Sequence, residues 1–100
     1  MMYEANYIDG QWLSANSGET LAVVNPATGE TIGTVPNAGQ EETRTAISAA
    51  AKAFASFSLT TASQRADMLH RLHDLILSEQ EDLALMLTRE QGKPLVEARA

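Results

Sequence analysis

The apolar positions of this chain follow two patterns that meet near residue 40. Before that point, short apolar runs alternate with turn residues. Tyr7, Ile8, Trp12 and Leu13 are good strand formers, and they flank the dipeptide Asp9-Gly10. A type I′ turn needs positive φ at both central residues, so Asp-Gly in that setting predicts a two-residue β-hairpin. Residues 14–19 are polar and read as a turn region. An apolar run over 21–24 is broken by Asn25-Pro26-Ala27-Thr28-Gly29-Glu30, and 31–35 reads as the returning strand. Pro26 suits a turn, and Gly29 suits a position of positive φ. Residues 36–40 close the strand region.

From Gln40 onward the period is helical. Ala46, Ile47, Ala50, Phe54 and Phe57 recur at spacings of three and four, which makes one apolar face. Glu41 and Glu42 stand where carboxylates favour a helix N-terminus. Ala49, Ala50 and Ala51 raise helix propensity and permit close packing. After a break at Thr60-Thr61, Thr61 and Gln64 fit a capping box. The helix that box opens carries Ala62, Ala66, Leu69, Leu72, His73 and Ile76 on one side. Ser78 and Glu81 fit a second box, which predicts a bend or restart; Leu83, Met86 and Leu87 then continue an apolar face. Gly92 stops this helix, and Pro94 suits the first turn of another, within which the chain ends after Leu95 and Ala98. The expected order is therefore β-hairpins over 1–39, then three to four α-helices over 40–100.

Composition narrows the class. One hundred residues allow one small domain. A compact domain of that size buries roughly 60–65% of the surface its unfolded chain exposes, which leaves room for a modest core. The net charge of −6 is unevenly placed: the first forty residues hold Glu4, Asp9, Glu19 and Glu30 with no Lys or Arg, and the rest is nearly balanced. No basic stripe can neutralise phosphates, which argues against nucleic acid and against a polybasic membrane patch. No apolar run approaches the length of a bilayer span, and no basic stretch leads into an apolar one at the start; a soluble, cytoplasmic protein is expected. The chain has no cysteine, which excludes disulfides, thiolate metal sites and a sulfur nucleophile within these residues.

Few side chains offer chemistry. His70 and His73 have a spacing that can supply two metal ligands, but no thiolate or third ligand accompanies them, and imidazoles at a packed helix edge are the better reading. Gly92-Lys93 has the end of a phosphate loop, yet Pro94 stands where Ser or Thr is needed and Leu87 where the first Gly is needed. There is no G-x-G-x-x-G fingerprint. The pairs Glu41–Glu42 and Glu81–Asp82 are adjacent, so on a helix they point about 100° apart; solvated faces and dipole partners are expected. No hydroxyl is paired with a base.

Taken in order, several segments resemble one family. Tyr7-Ile8-Asp9-Gly10-Gln11-Trp12, then Asn25-Pro26-Ala27-Thr28-Gly29-Glu30, then Ile32-Gly33-Thr34-Val35-Pro36 are similar to the opening of aldehyde dehydrogenases. The match continues through the Ala-rich helix ending in Ala53-Phe54, through Arg65 and Leu69, and into Thr88-Arg89-Glu90-Gln91-Gly92-Lys93-Pro94-Leu95 with Glu97-Ala98. The Glu-Gln-Gly-Lys-Pro-Leu form looks most like the succinate-semialdehyde branch. Phe57 departs from the pattern, since many relatives have Trp there.

The resemblance implies an α/β parent fold with a Rossmann-like cofactor domain, a catalytic domain and an oligomerisation arm, of which residues 1–100 are the N-terminal part of the cofactor-binding domain. It implies oxidation of an aldehyde, succinate semialdehyde, to the acid with NAD or NADP. In that chemistry a cysteine thiolate attacks the aldehyde, hydride passes to the nicotinamide, and water activated by a glutamate releases the acid. The matching cysteine, glutamate and cofactor residues lie beyond this segment, so it supplies no catalytic or cofactor-binding residue and is expected to be inactive and to bind no cofactor alone. Its expected partners are the remaining enzyme chain and, in a homo-oligomeric parent, further copies. Some relatives bind a monovalent cation through main-chain oxygens before the Asn-Pro turn and an acid before the Gly-Lys-Pro turn; the matching positions are Val23, Val24 and Glu90, and oxygen ligands suit a hard cation. The alternative is a small non-enzymatic helical module that binds a partner helix through Leu69, Leu72 and Ile76, or a truncated remnant.

Overall fold

The structure, a computed structural model, describes residues 4–100. The strand-and-turn reading of residues 1–3 lies outside the described residues. Strands β1 (Asn6–Ile8) and β2 (Gln11–Leu13) form an antiparallel hairpin in which Tyr7 faces Trp12. Asp9 and Gly10 have φ of 51° and 76°, the pair of positive values a type I′ turn demands. The Tyr7 and Trp12 rings lie 4.9 Å apart on one face of the ribbon. Ile8 and Leu13, on the other, are half-buried.

The second hairpin pairs β3 (Thr20–Val24) with β4 (Thr31–Pro36). Its turn is closed from within. The Asn25 side chain accepts from the Ala27 N–H at 2.9 Å, the Gly29 N–H donates to the Asn25 carbonyl at 2.8 Å, and the Asn25 N–H donates to the Glu30 carbonyl at 2.9 Å. Asn is favoured here because its side chain can mimic a backbone turn. Register runs evenly from Thr20↔Pro36 to Val23↔Gly33, then jumps to Val24↔Thr31. The extra residue, Ile32, makes a β-bulge, which bends the strand where it meets the turn. β4 reaches Pro36, one residue past the expected end; a proline has no N–H to give and is tolerated at such a margin.

Four helices follow: α1 (Gln40–Phe57), α2 (Ala62–Ser78), α3 (Gln80–Gln91) and α4 (Leu95–Ala98). Both bonds of the Thr61–Gln64 box are made, at 3.2 and 2.9 Å. The second box is not. The break falls where expected, but Glu79 is the cap, the Ser78 hydroxyl donates back to the Leu75 carbonyl at 2.8 Å, and Glu81 turns to Arg99. Ser78 is still inside α2, so its hydroxyl finds a carbonyl of the preceding turn before it can reach forward. Gly92 ends α3 with φ 80°, the left-handed C-terminal stop that glycine accepts without cost. Pro94 lies one position earlier than expected: it precedes α4, and its carbonyl accepts the first helical bond from Ala98.

The modest core that the length leaves room for does not form. Among the described residues the only buried hydrophobic side chains are Ala15 and Ala84. Accessible surface is 7757 Å², against about 5,500 Å² for a compact monomer of this mass. The radius of gyration is 16.8 Å, against about 13 Å for a compact hundred residues. Helix propensity and hairpin chemistry are satisfied locally, but the helical faces are not folded onto one another. Leu69, Leu72, Leu75 and Ile76 are all exposed.

Candidate functional site

Among the junctions that bring distant parts of the chain together, two involve the candidate residues. The first lies where the turn after α3 meets the turn after β3. A side-chain carbon placed on Gly92 would come 3.0 Å from Pro26 Cγ, so the glycine is needed for close approach as well as for its φ. This contact sets the second residue after β3 against the first residue after α3, and those two elements carry the candidate cation ligands. Val23 is half-buried in β3 and Val24 exposed beside it, both at the bulge. Glu90 is exposed in the last turn of α3, and its carboxylate is in no ion pair among the described residues.

The second junction is a carboxylate clasp at the start of α1. Glu42 occupies the third helical position and is only 8% exposed. One of its oxygens accepts from the Gly39 N–H at 2.9 Å, which satisfies one of the orphan donors at the helix start. The other accepts from the Asn16 N–H, in the loop between the hairpins. Beside it, the Asn16 side chain donates to Glu41 at 3.0 Å. The bond from the Asn16 N–H, with one from Glu42's own N–H next in weight, holds the Glu42 carboxyl below its ordinary value of 4.5; burial opposes the shift, and Gly39 adds a smaller push downward. The expectation that Glu41 and Glu42 form a solvated face is corrected for Glu42. Adjacent helical carboxylates cannot share one atom, yet here both reach one residue through its backbone and its side chain. The spacing Gly39-x-x-Glu42 was the available signal, half of a capping box with a cap residue that has no side chain to return the bond.

The histidines are not at a packed edge. The His73 side chain is exposed, with Nδ1 3.1 Å from Asp74 Oδ1, because no other element covers this stretch of α2. Among the described residues no cluster of three His, Asp or Glu side chains could hold a metal ion. Arg99 is a further residue that sequence reasoning passed over. Its guanidinium meets the Glu81 carboxylate through two nitrogens, and its carbonyl accepts from Gln80 at 2.7 Å, so α4 is tied back to the start of α3. The hydrogen bond to Glu81 raises its pKa.

The starts of the two longest helices are occupied by the chain's own side chains. A pyrophosphate is held by free N–H groups at a helix N-terminus. At the start of α1 the Gly39 N–H is already given to Glu42, and Glu19, Glu41 and Glu42 wall the hollow in front of it. At the start of α2 the Thr61–Gln64 box takes the equivalent donors. No helix among the described residues is long and apolar enough to cross a membrane.

The aldehyde dehydrogenase family model matches residues 12–100. Glutarate-semialdehyde dehydrogenase of Pseudomonas putida is 53% identical over 93 residues, which is 93% of this chain and 19% of that protein. The NADP-dependent succinate-semialdehyde dehydrogenase of Escherichia coli is 48% identical over 92% of this chain and 19% of its own length. The crystal structure of succinate-semialdehyde dehydrogenase from Burkholderia pseudomallei superimposes with a TM-score of 0.90 at 52% identity, over 93% of this chain and 19% of that one. The chain thus spans about a fifth of the length of the curated relatives it matches.

Proposed function

The chain belongs to the aldehyde dehydrogenase family, and from that premise we propose that it forms the N-terminal part of the cofactor-binding domain of an enzyme that oxidises succinate semialdehyde to succinate with NAD or NADP. The observation that carries this reading is the run of apolar helix residues left uncovered, in a sequence whose relatives are about five times as long. In the complete enzyme those faces pack on the remaining polypeptide, the enzyme is a cytoplasmic homo-oligomer, and the sulfur nucleophile and the dinucleotide site are supplied outside these residues. The chain itself has no cysteine, so on this reading it is inactive alone. The test is to express the hundred residues and the complete reading frame side by side, with succinate and glutarate semialdehydes as substrates, and follow nicotinamide reduction. Turnover is expected from the complete protein only, with kcat/KM higher for the four-carbon aldehyde. Turnover by the hundred residues would overturn the reading, and a preference for the five-carbon aldehyde would reassign the substrate.

We further propose that Val23 and Val24, through their carbonyl oxygens, and Glu90, through its carboxylate, hold a monovalent cation. The contact of Gly92 with Pro26 and the bulge beside Val24 support this. Sodium or potassium, compared with choline at equal ionic strength, should raise the thermal midpoint of the complete enzyme, and Glu90→Gln should remove that increment. An increment unchanged in the variant would refute the site.

A further inference from the structure

We draw no further inference here: the strongest candidate, the acidic hollow at the start of helix α1 walled by Glu19, Glu41 and Glu42, carries nothing because its carboxylates are already engaged by N–H groups of Asn16, Asn37 and Gly39 and no second observation points to a ligand.

Discussion

In the β3–β4 hairpin each residue of β3 faces a partner on β4, and the intervening turn is closed by three hydrogen bonds of its own. Helix α2 is the opposite case. It is well started by Thr61 and well wound, yet Met68, Leu69, Leu72, Leu75, Ile76 and Leu77 all remain exposed along it. Both regions are locally well formed; only the hairpin also pairs with a neighbouring element along its length. Helices in proteins owe most of their stability to packing of an apolar face. The helical region therefore depends on surface from elsewhere, whereas the hairpin has at least its strand pairing within the chain.

The largest expected effect tests that dependence directly. Leu72 is 51% exposed, so Leu72→Ala in the hundred-residue chain should cost less than about 1 kcal/mol, as surface changes do. In the complete enzyme, where we place this face against the remaining polypeptide, the same change should cost about 2–5 kcal/mol. Urea unfolding of both proteins measures the difference. Equal costs would show that α2 faces solvent in the complete protein as well, and the contrast between the two regions would fail.

The same contrast explains what could be read from the sequence. Asp9-Gly10, the Asn25–Gly29 turn, Thr61–Gln64 and Gly92 are local signals, in which the residue and its consequence lie within five positions. Each is realised in the structure. The Ser78–Glu81 box is also local, but α3 restarts from Glu79, which leaves Ser78 inside α2 and Glu81 free to meet Arg99, 18 positions away. The Asn16–Glu42 bond spans 26 positions and the Gly92–Pro26 contact more than twice as many; no periodicity or cap rule reaches that far. Of the candidate site, the ligand positions came from family resemblance alone, while the junction that brings their elements together emerged from the fold. The packed edge expected for His73 failed because amphipathic spacing tells which side of a helix is apolar and not whether anything covers it.

A smaller effect sharpens the comparison at the point where the two regions touch. Gly29 and Gly92 have nearly the same φ, 77° and 80°. A side chain at Gly29 meets nothing within 4 Å, whereas one at Gly92 meets Pro26 at 3.0 Å. Gly29→Ala should cost about 1–2 kcal/mol, the penalty of a left-handed backbone. Gly92→Ala should cost that and the added crowding, about 2–4 kcal/mol in all. Chemical denaturation of the two variants isolates the contact by difference. Equal losses would mean that the β3 turn and the end of α3 do not press on one another.

The smallest effect concerns another link between hairpins and helices, and it is best read through pH. Glu42 has its carboxyl held below the ordinary 4.5 by the Asn16 N–H first of all. A carboxylate depressed in the folded state binds fewer protons there than in the unfolded chain. Its contribution is therefore fully present above pH 4.5 and is lost as pH falls through the lower, folded value. Glu42→Gln keeps one acceptor oxygen but cannot be charged, and its NH₂ group faces a backbone donor in place of an acceptor. The variant should lower the unfolding midpoint at neutral pH and flatten the acid limb of the stability profile. Amide exchange at Asn16 should quicken several-fold, while the middle of α1 is unchanged, because that helix has its own ladder and Ala-rich propensity. If Asn16 exchanges no faster in the variant, the loop between the hairpins is held by something other than this carboxylate. The β region would then be as independent of the helices at its base as β3 and β4 are along their length.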